Sequence, residues 1–391
     1  MSRLKDNIII RLLLAVVIGI FLGLIANKRL IGITITINYI LGQFIFFCVP
    51  LIIIGFITPS ITNLKANASK MLGAALLIAY LSSVGAALFS MLAGYIIIPG
   101  LNIVTDPEGL KSLPELVFQL DIPPIMSVMS ALVFSIVIGL TVVWTESKAV
   151  EKLLGEFHNI MLSVVTRLVI PVLPIFIATT FAELAYEGSI TKQFPIFIEI
   201  IIIVLIGHFA WLALLYGIGG LISKENPIEV IRHYGPAYLT AVGTMSSAAT
   251  LPIALNCARK SKVLDREVVD FAIPIGATIH LCGSVLTETF FVMAISKILY
   301  GTLPSIASMI TFIVLLGIFA IGAPGVPGGT VMASLGLITG ILEFDQSGVA
   351  LMLTIFALQD SFGTACNITG DGAMALMLTG IFKDRNREEA V

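Results

Sequence analysis

Apolar runs long enough to cross a bilayer constrain this chain more than any other feature. They lie near 8–26, 36–58, 71–99, 126–145, 157–182 and 194–222. Polar clusters such as Asn27-Lys28-Arg29, Asp106 to Glu115 and Lys224 to His233 separate them. A spanning helix needs ~20 mostly apolar residues. Several runs exceed that, so tilt or an interfacial extension is expected. Of the 391 residues, 58% are hydrophobic and only 12% charged, against about 25% charged in soluble domains. A water-soluble fold would leave much of this apolar side chain on its surface. The expected class is an all-α polytopic membrane protein, its partner the lipid bilayer. A net charge of -2 argues against a nucleic-acid partner, which would need a basic face.

The polar stretch Met1 to Asp6 runs directly into the apolar run from Ile8. With no small-residue cleavage site, it reads as a retained first span rather than a signal peptide. Cys48, Cys257, Cys282 and Cys366 are scattered through apolar stretches without zinc spacing. They read as small buried hydrophobes.

After residue 233 the pattern changes. Thr244-Met245-Ser246-Ser247-Ala248-Ala249-Thr250-Leu251-Pro252 interrupts one apolar run, and Ile321-Gly322-Ala323-Pro324-Gly325-Val326-Pro327-Gly328-Gly329-Thr330 interrupts another. Each is followed by a run that reads as whole, about 269–296 and about 348–382. Non-helical backbone at membrane depth survives only where protein or a water-filled cavity satisfies it. Paired interrupted segments point to a transporter binding site.

Charge tests the topology. If each broken segment enters and leaves by one face, sixteen of the 22 basic residues share a side with both termini. Among them are Lys65, Lys148, Lys224, Arg259 and Arg266, whereas Lys28, Lys111, Lys192 and Lys297 fall opposite. The positive-inside rule then puts both termini in the cytoplasm of a protein in the plasma (inner) membrane.

Ionisable residues within spans are costly and are functional candidates by default. Here they are Arg167, Glu199, His208, His280, Glu288, Asp360 and Asp371. Glu199 and His208 read as structural or interfacial, and the sequence assigns no role to Arg167 or Glu288. Asp360, Thr364, Asn367 and Asp371 recur at helical pitch as one polar stripe on an apolar helix. A buried stripe of two acids, an amide and a hydroxyl needs a cationic or hydrogen-bonding partner, and no basic residue lies on this span. A bound ammonium group or metal cation would serve; a hydrogen-bonded seam between helices is the alternative. The serine tip can offer unsatisfied backbone N–H groups to a carboxylate. The Gly/Pro tip can offer carbonyls to a hard cation such as sodium.

These residues resemble the dicarboxylate/amino acid:cation symporter family, the glutamate-transporter homologues. The resemblance covers nearly the whole chain. It rests on Ser246-Ser247-Ala248-Ala249-Thr250-Leu251-Pro252, Pro274-Ile275-Gly276-Ala277-Thr278-Ile279, Gly325-Val326-Pro327-Gly328 and Asn367-Ile368-Thr369-Gly370-Asp371. It implies inverted repeats, eight transmembrane helices, two re-entrant helical hairpins and a homotrimer. A scaffold of residues 1–70 (spans one and two) and 113–190 (spans four and five) would carry an elevator-type transport domain. That domain would comprise 71–112 (span three) and 191–391 (spans six to eight, both hairpins and a cytoplasmic tail). Asp360 would receive the substrate ammonium, while Asn367, Ser246 and Ser247 hold its α-carboxylate. Thr364, Ser284 and Gly363 would line the pocket, and the second hairpin would close over it through Gly325 and Val326. Asp371, Asn367 and the Gly276 backbone match one sodium site; Thr278 with Ala320, Ile321 and Ala323 matches another. No prosthetic cofactor is implied, only Na+ or H+ as coupling ion.

Two departures modify this. Members that take acidic substrates place an arginine where this chain has Gly363, and an arginine often precedes the serine tip where this chain has Met245. An unpaired side-chain carboxylate in the pocket would cost several kcal/mol, so a neutral amino acid is expected. A dicarboxylate would also lack the ammonium that Asp360 binds. In the seventh span, the family's Asn-Met-Asp-Gly-Thr reads His280-Leu281-Cys282-Gly283-Ser284. Imidazole and thiol are not hard oxygen ligands, and His280 can titrate. Proton coupling, reduced sodium coupling and cation-independent exchange are the three readings this leaves. A channel would need a continuous polar pore. An intramembrane enzyme would need a nucleophile–base pair or metal ligands at matching depth; Ser247 with His280 is conceivable, but no nucleophile motif surrounds it.

Overall fold

A computed structural model describes residues 8–66, 70–101, 103, 111–188, 190–323 and 328–388. Every regular element among them is helical. In chain order the longer ones are α1 (Ile8–Ile25), α2 (Lys28–Ala66), α3 (Lys70–Ile97), α4 (Val128–Thr145), α5 (Lys148–Val164), α6 (Ile170–Glu187) and α7 (Ile190–Ser223). A short α8 (Pro227–Ile231) precedes α9 (Gly235–Thr244), α10 (Ser247–Ala258), α11 (Arg266–Ile279), α12 (Cys282–Tyr300), α13 (Ile306–Gly322), α14 (Gly329–Gly340) and α15 (Gln346–Glu388). Six helical stretches, including Lys70–Gly100, Ile196–Ser223 and Gln346–Phe382, are long and apolar enough to cross a membrane. In a bilayer, helices satisfy their own backbone groups, and this is an integral membrane protein.

Two packing groups form. Helices α1, α2, α4, α5 and α6 lie mainly on one another. The sequence Gly19-Ile20-Phe21-Leu22-Gly23 explains the tightest of these contacts. A Cβ on Gly19 would stand 2.2 Å from the Ala178 carbonyl oxygen, and one on Gly23 would stand 2.2 Å from that of Ala182. Two glycines four apart let backbones approach where lipid gives no hydrophobic drive. The second group surrounds α15, against which α7, α9, α11 and α12 pack, while α3 lies along α12 and α13.

Both broken segments return to the end from which they set out. Glu229 on α8 takes hydrogen bonds from the Ser261 hydroxyl and from the Lys262 N–H at 3.1 Å, and it pairs with Arg232 at 2.9 Å. This joins the entry of the α9–α10 pair to its exit. Partial burial pushes the Glu229 carboxyl up. The bonds from Ser261 and Lys262, with His233 and Arg232 beside them, outweigh it and hold the group below its usual range. The clamp is thus fully present above the unfolded carboxylate pKa and is lost as pH falls through the lowered folded value. At the second pair, the Tyr300 hydroxyl donates to Asp345 at 2.8 Å, joining the end of α12 to the start of α15 across the α13–α14 excursion.

The expectation of a whole segment over 269–296 needs correction. The helix breaks between Ile279 and Cys282, where His280 is extended (φ -108°, ψ 96°). Pro274, inside α11, removes one ladder donor. The stretch 348–382, by contrast, lies within the unbroken α15.

Candidate functional site

The break between α11 and α12 faces the polar stripe of α15. Leu281, at the head of α12, makes no side-chain cap. Asn367 supplies one from 83 residues away: its Oδ1 accepts from Gly283 N at 2.7 Å and Ser284 N at 3.2 Å. Its Nδ2 donates to Ser284 Oγ at 2.9 Å. Orphan amides at a helix start require such an acceptor. Asn367 and Ser284 are both buried, so this cross-helix cap fixes the broken helix end to α15.

About two turns earlier on α15, Asp360 is buried and accepts from the Gly328 N–H at 2.6 Å. Gly328, with φ of 71°, is the left-handed residue that opens α14. Ser284 lies close to Asp360. The structure therefore gathers Asp360, Ser284 and Asn367, with Thr364 and Gly363 buried on the same stretch of α15. A Cβ at Gly363 would sit 3.3 Å from both Cα and Oγ of Ser284, so the absence of a side chain there lets α12 lie close.

The second half of the stripe answers to His280. Its Nδ1 lies 3.0 Å from Asp371 Oδ1, and its Nε2 lies 2.8 Å from Ser82 Oγ on α3. The Nδ1–H donates to the carboxylate. Nε2 accepts the Ser82 hydroxyl proton in the neutral ring and donates in the charged one. No basic residue lies on the stretch 348–382 itself, but His280, just past the end of α11, supplies a partner from another helix. Asp371 Oδ2 stays buried with no hydrogen-bond partner, which leaves one carboxylate oxygen for a cation. Cys282 stands close to His280 and Cys366, and the Cys366 thiol points to the His208 carbonyl at 3.9 Å. All four cysteines are free and buried. Among the described residues no group of three or more His, Cys, Asp or Glu side chains is arranged to hold a metal ion.

Gly276 permits the approach of Asp371 to α11, since a Cβ there would stand 2.7 Å from Asp371 Oδ1. Gly276→Ala is expected to displace that carboxylate and lower the melting temperature. Overpacking of this kind costs about 1–3 kcal/mol. An unchanged melting curve in detergent would refute the contact.

Other expected site residues are placed less centrally. Ser246 caps α10, accepting from Ala249 N at 3.3 Å, and Ser247 is buried beside it. Met245 stands between α9 and α10 with φ of 52°. Thr278 is exposed, and its hydroxyl donates to the Ile275 carbonyl at 2.7 Å. Ala320 and Ile321 end α13, and Ala323 is extended beyond it. Gly325 and Val326 lie outside the described residues. The conceivable Ser247–His280 pair does not form, because both ring nitrogens are engaged by Asp371 and Ser82.

Sequence reasoning missed Ser82 and left Glu288 without a role. Ser82-Ser83 in an otherwise apolar span was the available signal. Glu288, fully buried on α12, takes the Ser334 hydroxyl of α14 on Oε1, while its Oε2 has no partner. His208 on α7 is also buried, its Nε2 lying 2.9 Å from Thr287 Oγ1 and 3.1 Å from the Gly283 carbonyl.

Helices of membrane length around paired broken segments and a buried acidic stripe define the class as a polytopic membrane protein. Residues 8–381 match the sodium:dicarboxylate symporter family, and the chain belongs to it. It is 27% identical over 254 residues to human excitatory amino acid transporter 2, covering 63% of this chain and 43% of that protein. With excitatory amino acid transporter 1 of Ambystoma tigrinum it shares 28% over 277 residues, 68% of this chain and 48% of the relative. A Caenorhabditis elegans excitatory amino acid transporter is 35% identical over 154 residues, 38% of this chain and 29% of the relative. Each matched stretch is less than half the relative's own length.

Proposed function

We propose that this chain is a symporter that carries a neutral amino acid across the plasma (inner) membrane, coupled to a cation. Asp360 carries the reading. It is a buried carboxylate that accepts from the backbone N–H of Gly328, and neither that N–H nor the neutral amide of Asn367, about two turns along α15, supplies a positive charge. A substrate ammonium supplies the missing charge. In this reading Asn367, Ser246 and Ser247 hold the α-carboxylate, Ser284, Gly363 and Thr364 line the pocket, and Gly325 and Val326 close it.

Gly363 leaves no guanidinium for an acidic side chain, which favours a neutral substrate over an acidic amino acid or dicarboxylate. Uptake of labelled serine into proteoliposomes tests this. Unlabelled alanine and serine are expected to compete and aspartate is not; aspartate competing better than either sinks the neutral assignment. Cation-independent exchange would show as uptake that needs internal amino acid and ignores every ion gradient.

The finer architecture belongs to the same reading. It has eight spans and two re-entrant hairpins, α9–α10 and α13–α14, with both termini cytoplasmic. The scaffold of 1–70 and 113–190 trimerises, while 71–112 and 191–391 move as the elevator. The separate packing of α1, α2, α4, α5 and α6 from the group around α15 supports it, as do the clamps at Glu229 and Tyr300 that return each hairpin to its own end.

Two observations bear on the coupling ion. The His280 ring bridges Ser82 and Asp371 where the family resemblance places sodium ligands, which favours a proton. The unpartnered Oδ2 of Asp371 favours residual sodium. Uptake driven separately by proton and sodium gradients discriminates the two.

A further inference from the structure

Helices α3, α7 and α12 enclose a crevice that the transport reading does not use. Its volume is about 190 Å³, and its walls include Phe89, Ala93 and Ile97 of α3, Gly207 and Ala210 of α7, and Leu286 of α12. The one hydroxyl in the wall, Ser90 Oγ, is spent on the Leu286 carbonyl at 2.7 Å. Nothing in the lining therefore asks for water. An apolar cavity of ~150 Å³ stays dry and takes up hydrocarbon. This one is larger, and it is open on one side.

Depth identifies what lies outside the opening. The lining residues fall within three stretches of membrane-crossing length, Lys70–Gly100, Ile196–Ser223 and Arg266–Tyr300. Around them Leu92, Ile96, Ile202, Ile206 and Phe209 are exposed, Ile206 by 64%. Exposed side chains of this kind in a spanning segment face lipid tails. Glu199, exposed one turn before Ile203 on α7, marks the polar end, since a carboxylate at the bilayer centre would be costly. Ile97, at the end of α3, lies at the far end of the lining of that helix. The crevice is thus continuous with the lipid-facing surface. A dry void there forfeits dispersion contacts that a flexible hydrocarbon chain would restore.

We infer that the crevice between α3, α7 and α12 is a binding site for one acyl chain of a bilayer lipid. This rests on the membrane placement of the chain, not on the identity of the transported solute. The occupant would press on Leu286 and Phe290, in the helix whose first amides Asn367 caps.

Trp211 offers a built-in reporter. It is 5% exposed, and its ring packs against that of Phe89, a wall residue, at 6.0 Å between centroids. The only other tryptophan, Trp144, is 73% exposed and is removed by Trp144→Phe. The full-length variant is reconstituted in phosphatidylcholine with or without bromines midway along one acyl chain. Brominated lipid is expected to quench Trp211. Filling the crevice with Gly207→Leu, or independently from the same helix with Ala210→Leu, is expected to abolish the quenching and leave emission in ordinary lipid unchanged. A Cβ at Gly207 meets only Leu286 Cδ2, at 3.4 Å, an ordinary contact. No quenching of Trp211, or equal quenching in both filled variants, would overturn the inference. Serine uptake by the Trp144→Phe protein, measured in parallel, keeps failure here distinct from failure of the transport assignment.

Discussion

Asp360→Asn is expected to reduce serine uptake about 100-fold, because losing a buried charge partner costs roughly 3 kcal/mol and each 1.4 kcal/mol is tenfold. The change is isosteric. The new amide oxygen can still accept from Gly328 N, which lies 2.6 Å from the present carboxylate, so the opening of α14 keeps its partner. Removing an uncompensated buried charge is not expected to lower the melting temperature of the substrate-free protein. The two readouts therefore separate: uptake and substrate-induced thermal stabilisation disappear while the apo protein remains folded. Near-normal uptake by the variant would remove Asp360 from the ammonium site, and with it the amino acid assignment.

His280→Asn combined with Cys282→Asp restores to the seventh span the oxygen ligands that the family resemblance associates with sodium. The double variant is expected to show uptake that depends steeply on an imposed sodium gradient and no longer on a proton gradient. The parent protein is expected to respond more weakly to sodium. Proteoliposomes with each gradient imposed separately measure both. His280→Ala alone is expected to behave differently. It would leave Asp371, now 3.0 Å from the imidazole, as a buried carboxylate without its charge-bearing partner, at a cost of about 3–5 kcal/mol. A double variant that still ignores sodium would show that these two positions do not set ion choice.

Much of this arrangement was legible in the chain because it depends on local signals. The first six apolar runs are continuous, and the two tips carry their own breakers: Met245-Ser246 at one and the Gly/Pro cluster before Gly328 at the other. The stripe from Asp360 to Asp371 follows from helical pitch alone. The break at His280-Leu281 was not legible for a different reason. His, Leu and Cys carry no turn signal, Pro274 lies well upstream, and the cap for α12 comes from Asn367 on another helix. A helix end held by a tertiary contact leaves no local mark. The same applies to His280 with Asp371 and Ser82. Each residue is visible as polar in an apolar run, but which of them meet depends on how α3, α11 and α15 pack.

The break also has an electrical consequence. Aligned peptide dipoles leave partial positive charge at a helix start and partial negative charge at its end. Helix α11 ends and α12 begins only two residues apart, so their opposite poles confront each other across His280 and Leu281. The negative pole of α11 favours a cation on the Gly276 side, and the positive pole of α12 favours an anion at Gly283 and Ser284. Asn367 now occupies the anion position as a neutral dipole. A carboxylate arriving there would compete with an uncharged amide, which field strength alone favours displacing. The gap therefore acts as a pair of fixed, opposed half-charges whose separation is set by the backbone and does not depend on pH.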